Sequence, residues 1–295
     1  MRYVIVAKDD FDGTSCDDAE DPLVVTEIAT ELVITRLGLF HAISSGDASI
    51  NDTIVTIEDR KCLYTNIFDS VITWKEFKEI SLSHTDIVLD LLEGNMFYTL
   101  SQGYKEVTSQ LNLREDGMYN VEIIPTSPIC LQYKPFYKFF ERDKEFILNF
   151  ERNDVTDYNI SEPFIVLVIR TRRAWSEKNM TREFWTEMVE KLKDNNIKTL
   201  IFGKEVEEYC DSDLVKHIKT YQDWCSIVES QNCKHIISTM SGGVYPAMIF
   251  GNKDIKLTII DNTGLMGKHS DDPSFYNDCV NFSGVEFEFI DYIPK

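Results

Sequence analysis

Short apolar runs alternate with helix-compatible segments along most of this 295-residue chain. The clearest example runs from Cys233 to Ile260 and reads as a strand, a Ser-Gly-Gly turn, a short helix and a second strand. Strands that alternate with helices indicate a parallel sheet covered by helices, because each helical crossover returns the chain to the same end of the sheet. The sequence therefore predicts an α/β protein.

The predicted elements fall into two groups, separated by the polar segment between Phe150 and Pro163. The first group has a helix between residues 23 and 40 and strands at Tyr3–Lys8, Thr53–Ile57, Ser70–Trp74, Asp86–Leu92 and Asn120–Pro125. The second group has strands at Phe164–Arg170, Lys198–Gly203, Leu214–Lys219, His235–Thr239 and Ile255–Ile260, with helices near Thr181–Asn195, near Asp223–Ser230 and after Ser241. We predict two Rossmann-like doubly wound lobes, residues 1–155 and 156–295, that face a central cleft and bind ligands at the carboxyl ends of their strands.

Charge and composition exclude several classes of protein. Thirty Lys and Arg residues against fifty Asp and Glu residues give a net charge of −20, which would repel a nucleic-acid backbone. No apolar run approaches the roughly 18 residues of a membrane span. The seven cysteines are scattered without a CxxC pair, which favours reduced thiols over disulfides or zinc. The start, "MRYVIVAKDDFDG", is unlike a cleavable signal peptide, so we expect a soluble, cytoplasmic protein.

The Ser-Gly-Gly turn at Ser241, Gly242 and Gly243 is a candidate anion site. Small residues let a ligand approach the backbone, and free N–H groups at the start of a helix favour a phosphate. The alternative is that Ser241 only caps the helix and the glycines only tighten the turn.

A compact basic cluster closes the strand at "VLVIRTRR", where Arg170, Arg172 and Arg173 follow an apolar run. The cluster predicts a localised anion pocket, because it is too small for a duplex-sized surface. Alternatively, these arginines are solvated charges paired with some of the many carboxylates.

These residues carry a resemblance to a known family that covers residues 164–260. The turn is similar to the S-G-x-x-H-x-A-x-x-x-G segment of GT-B glycosyltransferases of the heptosyltransferase type, with Ser241, Gly242, Tyr245, Ala247 and Gly251 on its spacing. A second family segment, K-x-W-P-x-x-x-W-x-x-L, is matched in spacing by Lys178, Met180, Thr181, Trp185 and Met188. The chain departs from the family pattern at Met240, at Tyr245 and at the Met180-Thr181 pair, which leaves the donor nucleotide and sugar open.

The resemblance implies the GT-B fold and a transferase, monomeric or homodimeric, that moves a sugar from a nucleotide-diphosphate sugar to a glycan or other hydroxyl acceptor. It implies no metal and no cofactor, because cationic side chains and helix-terminal amides can stabilise the leaving diphosphate. The residues expected to bind the donor are Arg170, Arg172, Arg173, Lys178, Ser241, Gly242, Gly243 and Tyr245.

An inverting transfer needs a base for the acceptor hydroxyl, and the resemblance places it just after the first strand. The acidic loop there makes Asp12 the first candidate, followed by Asp10 and Asp17. The alternative is a solvated acidic loop without a catalytic role.

The same loop, "DFDGT", also matches the signature of haloacid-dehalogenase-type phosphatases. In that reading Asp10 is the nucleophile, Asp12 the acid and base, and carboxylates hold Mg²⁺. Thr239, Lys268 and the pair Asp271 and Asp272 follow in the required order, but no strand separates the lysine from the acids. A third hypothesis is a catalytically inactive module that binds a nucleotide or glycan.

Two further features of the chain carry expectations. Aromatic residues are candidates for a sugar-stacking wall or, alternatively, for core packing: Trp74, Phe97, Tyr98, Tyr133, Phe136 and Tyr137. The tail "VEFEFIDYIPK" is expected to pack on one lobe or to cross back to the first.

Overall fold

The chain divides into two compact units, Met1–Glu151 and Arg152–Lys295. The computed structural model describes residues 1–7, 39, 49–83, 85–90, 120–123, 149–171, 179–203, 206–210, 212–239, 241–261, 281 and 283–292. The division between the units falls inside the polar segment that follows Phe150.

The first unit carries a five-stranded parallel sheet. Its strands are β1 (Arg2–Ile5), β2 (Thr53–Thr56), β3 (Val71–Thr73), β4 (Ile87–Asp90) and β5 (Asn120–Ile123). The spatial order is β3-β2-β1-β4-β5, so the direction of winding reverses between β1 and β4. This is the doubly wound arrangement predicted for the lobe. The described core of this sheet contains Tyr3, Ile5, Val55, Trp74, Phe77 and Val88.

The predicted strand at Ser70–Trp74 ends one residue early, because Trp74 begins helix α1 (Trp74–Glu79). Thr73 Oγ1 accepts a 3.0 Å hydrogen bond from the Glu76 amide, and the Glu76 carboxylate accepts one of 2.6 Å from the Thr73 amide. This capping box stabilises the helix start. Trp74 is 4% exposed and stacks on Phe77, so it is a core residue and not part of a sugar-binding wall. The other five candidate wall residues lie outside the described residues.

The second unit carries a six-stranded parallel sheet in the order β11-β10-β9-β6-β7-β8. Its strands are β6 (Phe164–Val168), β7 (Thr199–Phe202), β8 (Val215–Ile218), β9 (Cys233–Thr239), β10 (Lys256–Asp261) and β11 (Glu286–Asp291). The five strands predicted in this half are confirmed, with bounds that shift by a residue or two. The described core includes Leu167, Trp185, Ile201, Val215 and Ile260.

Strand β11 comes from the tail, for which the sequence analysis predicts no strand. It pairs in parallel with β10, from Lys256 opposite Glu286 to Asp261 opposite Asp291. Acidic residues alternate with Phe287 and Phe289, and the strand is only partly buried. An edge strand of this composition gives a weak apolar signal, which is why the pattern is easy to miss.

Three helices and a short 3-10 turn connect the strands described in the second unit. They are α2 (Arg182–Asp194), α3 (Tyr221–Ile227), the 3-10 turn Gly242–Val244 and α4 (Tyr245–Phe250). Threonine side chains cap the first two: Thr181 accepts from the Phe184 amide and Thr220 from the Asp223 amide. Further 3-10 helices lie at Glu58–Leu63, Thr156–Tyr158 and Glu207–Tyr209.

The start of the second unit is fixed to α3 through the buried carboxylate of Asp223. Tyr158 donates its phenol to Asp223 Oδ2 and Asn153 donates its side-chain amide to Asp223 Oδ1, both at 2.6 Å. The Lys219 amide donates to the Tyr158 oxygen at 3.1 Å. Burial, together with the bond to Asp223, raises the pKa of Tyr158 to about 12. The phenol therefore stays a donor across the neutral pH range.

Candidate anion-binding site

The winding direction of the second sheet reverses between β6 and β9. Val168 lies opposite Ser238, so the carboxyl ends of these two strands are neighbours. Arg170 follows the first strand, and the turn that starts at Ser241 follows the second. Doubly wound sheets bind their ligands at this topological switch point. The structure thus brings together two of the groups that the sequence analysis singled out.

The turn itself is held by Ser241. The Gly243 amide donates to Ser241 Oγ at 3.0 Å, and the Val244 amide donates to the Ser241 carbonyl at 3.3 Å. The Gly243 amide, expected from the sequence to face an anion, is therefore occupied in this state. The amides of Ser241 and Gly242 make no hydrogen bond to any described residue. Within the described part of the chain, these two amides and the Ser241 hydroxyl proton are the donors of the turn that remain for a ligand.

Thr239, the last residue of β9, adds a buried hydroxyl to this edge of the sheet. Its side chain is fully buried, and its Oγ1 has no hydrogen-bond partner among the described residues. A buried polar atom without a hydrogen bond lowers the free energy of unfolding by about 1–3 kcal/mol. The sequence predicts a role for Thr239 only under the phosphatase hypothesis.

Arg170 lies just beyond β6 and is 8% exposed. Burial contradicts the alternative of a solvated surface charge for this residue. Its Nη1 donates a hydrogen bond to Asn179 Oδ1. A buried guanidinium with donors in a planar fork is suited to phosphate oxygens. Tyr245, which is also predicted to contact the nucleotide-sugar donor, is half-buried at the start of α4.

Trp224 is a residue of this site that the sequence analysis did not find. Its indole is fully buried, donates a 2.9 Å hydrogen bond to the Gly243 carbonyl and stacks on Phe202. No local sequence signal predicts this contact. It joins a helix to a turn that is distant along the chain, and it depends on the orientation of a single side chain.

The remaining predicted site residues lie outside the described residues. These are Arg172, Arg173 and Lys178 of the donor site, Asp10, Asp12 and Asp17 of the catalytic loop, and Lys268, Asp271 and Asp272 of the phosphatase hypothesis. Within the part of the chain that the structure describes, no three His, Cys, Asp or Glu side chains are grouped as metal ligands. Among the same residues no helix is long and apolar enough to cross a membrane.

The two parallel doubly wound sheets place the chain in the two-domain α/β class of fold. No protein-family model matches the sequence, and no curated protein matches it. A solved structure, ADP-heptose LPS heptosyltransferase II of E. coli, is similar with a TM-score of 0.51 and 10% sequence identity, covering 98% of this chain and 89% of that chain. The predicted GT-B, heptosyltransferase-like fold is confirmed by this likeness.

Two other solved structures are similar at lower TM-scores. E. coli heptosyltransferase WaaC with ADP has a TM-score of 0.45 and 11% identity, covering 99% of this chain and 91% of that chain. The family 9 glycosyl transferase of Veillonella parvula DSM 2008 has a TM-score of 0.45 and 14% identity, covering 99% of this chain and 86% of that chain.

Proposed function

We propose that the protein is a glycosyltransferase that moves a sugar from a nucleotide-diphosphate sugar to a hydroxyl group of a glycan or another acceptor. The observation that carries this proposal is that the buried Arg170 and the Ser241 turn follow the neighbouring strands β6 and β9, at the switch point of a GT-B-type second sheet. The E. coli enzyme with a similar fold is named for ADP-heptose, a nucleotide-diphosphate sugar. Its name supports the choice of donor class.

The proposed role of this edge is to stabilise the leaving diphosphate. Negative charge grows on the diphosphate as the bond to the sugar breaks, and fixed donors in a partly buried site stabilise that charge. Arg170 supplies a cation, and Ser241 and Gly242 supply a hydroxyl and amides. Arg172, Arg173 and Lys178 extend the basic set in this proposal, and Tyr245 packs beside the donor. With these cations the reaction proceeds without a metal.

The proposed base is a carboxylate in the loop after β1. Asp12 is the first choice and Asp10 and Asp17 are the next. The winding of the first sheet reverses between β1 and β4, so this loop leaves the sheet at its own switch point. A carboxylate there would take the proton of the acceptor hydroxyl as it attacks the sugar.

The topology disfavours the phosphatase hypothesis. Asp10 and Asp12 follow β1 of the first sheet, whereas Thr239 ends β9 of the second. Haloacid-dehalogenase-type sites gather the nucleophile and the hydroxyl residue at the carboxyl edge of a single sheet. Here the two belong to different sheets in different units.

Titration calorimetry with ADP, UDP and GDP tests the proposed function. We expect one of them to bind the wild-type protein, and Arg170→Ala to weaken that binding about 10- to 100-fold, the range for a lost charged hydrogen bond. Arg152→Ala is the matched control, because Arg152 pairs with Glu229, which precedes the opposite, amino end of β9.

Absence of binding by all three nucleotides would contradict the proposal. Donor hydrolysis then separates an enzyme from an inactive module. Nucleotide binding without hydrolysis or transfer, across ADP-, UDP- and GDP-sugars, would favour the module.

A further inference from the structure

Trp224 connects helix α3 to the anion-binding turn. Its side chain has no exposed surface, and its Nε1 donates to the Gly243 carbonyl at 2.9 Å. The ring stacks on Phe202 at the end of β7, with centroids 5.6 Å apart and planes inclined by 20°. Packing on this strand fixes the orientation of the indole, so the hydrogen bond has a rigid donor.

This bond fixes one particular peptide unit of the turn. The Gly243 carbonyl and the Val244 amide belong to the same peptide plane. The carbonyl accepts from Trp224, and the amide donates to the Ser241 carbonyl at 3.3 Å. A glycine has wide rotational freedom, so without these two contacts the plane could turn over.

The direction of the carbonyl decides what the turn presents to an anion. The indole nitrogen can only donate a hydrogen bond. The bond therefore forms only when the peptide turns its carbonyl oxygen towards the indole. The oxygen is therefore held facing the fully buried indole of Trp224. A carbonyl oxygen turned towards a diphosphate would instead repel it.

We propose that Trp224 is a positioning residue for the Ser241–Gly243 turn and that it maintains the affinity of the turn for a diphosphate. The inference rests on the proposed function and names a residue that acts on that site without contacting the ligand. Trp224 fixes the Gly243–Val244 peptide by donating to its carbonyl. The amide of the same peptide then fixes Ser241 by donating to the Ser241 carbonyl.

The chain offers a matched control in Trp185. Its side chain is 1% exposed in α2, and its Nε1 has no hydrogen-bond partner among the described residues. Trp185→Phe and Trp224→Phe therefore remove the same atoms from two buried positions. Only the second substitution removes a hydrogen bond to the turn.

Both variants are compared with the wild type by thermal unfolding, by calorimetry with ADP, UDP and GDP, and by amide hydrogen exchange of the free protein. We expect both to lower the melting temperature. Trp224→Phe should weaken binding of the nucleotide that the wild type prefers by about tenfold, the effect of one lost hydrogen bond. It should also accelerate exchange of the Val244 amide by about tenfold, while Trp185→Phe changes neither quantity.

Combination with Ser241→Ala adds a test of mechanism. If Trp224 acts through Ser241, the losses of affinity from Trp224→Phe and Ser241→Ala are less than additive, whereas those from Trp185→Phe and Ser241→Ala simply add.

Unchanged nucleotide affinity in Trp224→Phe would overturn the inference, and so would an equal loss in both tryptophan variants. If the wild type binds none of the nucleotides, the proposed function fails and the claim on diphosphate affinity fails with it. Exchange of the Val244 amide then decides the positioning of the turn separately: faster exchange in Trp224→Phe alone supports it, and unchanged exchange overturns it.

Discussion

Gly243 packs directly on Val168, the last residue of β6. A β-carbon at Gly243 would lie 2.6 Å from Val168 Cγ1 and 3.1 Å from Ser241 Oγ. Real β-carbon contacts are essentially never as short as 2.6 Å, so a side chain at this position would displace the turn or Val168. The contact joins the two strand ends that form the candidate site.

The first prediction concerns this contact. Gly243→Ala should lower nucleotide affinity about tenfold or more and destabilise the protein by about 1–3 kcal/mol, because overpacking displaces the turn. Val168→Ala removes the clashing methyl group, so the double variant should recover part of both losses. Calorimetry and urea unfolding measure the two effects. Wild-type affinity in Gly243→Ala would show that the turn does not contact the ligand.

The second prediction concerns Tyr158. Tyr158→Phe removes the 2.6 Å hydrogen bond to Asp223 and leaves a buried carboxylate with one donor fewer. The free energy of unfolding should fall by about 1.5–3 kcal/mol, the range for hydrogen bonds to charged groups. Tyr292→Phe, at an exposed tyrosine, is the control and should change stability little. Equal urea midpoints for the wild type and Tyr158→Phe would show that the hydrogen bond from Tyr158 to Asp223 does not stabilise the protein.

The third prediction depends on a hydrogen-bonded chain across β9, β10 and β11. Thr258 Oγ1 donates to Glu288 at 2.9 Å and therefore has to accept from His235 Nε2 at 2.8 Å, while Lys256 Nζ lies 2.8 Å from the same carboxylate. Burial, assisted by Lys256 and opposed by Glu288, lowers the pKa of His235 below 6.5. The native histidine is thus neutral, with its proton on Nε2.

Protonation of His235 should therefore destabilise the second unit. The unfolded chain takes up a proton below about pH 6.5, whereas the folded protein does so only at lower pH. Stability from this residue is fully present above pH 6.5 and is lost as the pH falls through the folded-state pKa. His235→Gln should flatten the dependence of the urea midpoint on pH in that range. An unchanged slope would contradict the neutral assignment.

The fourth prediction identifies the base. Asp12→Asn should lower kcat about 10²- to 10⁴-fold, the usual contribution of general base catalysis, without changing affinity for the nucleotide. Asp10→Asn and Asp17→Asn are the comparisons and should have smaller effects. If one of them causes the largest loss of kcat, that carboxylate replaces Asp12 as the base.

The fifth prediction is that transfer does not require a divalent metal. Activity measured in excess EDTA should equal the activity in Mg²⁺, because cationic side chains compensate the diphosphate charge in the proposed mechanism. Loss of transfer in EDTA, with recovery on adding Mg²⁺ or Mn²⁺, would contradict it.

Apolar periodicity is sufficient to predict the fold class and every described strand except β11. Buried parallel strands are nearly continuous apolar runs, so β6 and β9 stand out from their polar surroundings. At α1 the apolar run continues into Trp74 and predicts strand there, but the local capping box ends the strand at Thr73. Strand β11 lacks such a run, because four of its six residues are acidic or exposed.

The site was only partly predictable, for a different reason. Arg170 and the Ser241 turn follow strands, and the carboxyl ends of parallel strands share one edge, so their proximity follows from topology. The bond from Trp224 to Gly243 depends on a side-chain rotamer fixed by Phe202. The occupied amide of Gly243 depends on the conformation of Ser241. Neither contact produces a periodic pattern in the sequence from which it could be predicted.

The order of the strands also has a consequence for how quickly the protein folds. In the first sheet β1 pairs Tyr3 with Thr53 on one side and with Val88 on the other, and in the second sheet β6 pairs Val166 with Leu200 and Ile236. Each central strand therefore pairs with strands that are distant along the chain. Closing the intervening loops costs conformational entropy before the strand hydrogen bonds form. Until then, apolar strands stay open to association with other chains, so the yield of native protein should depend on temperature and on chaperones.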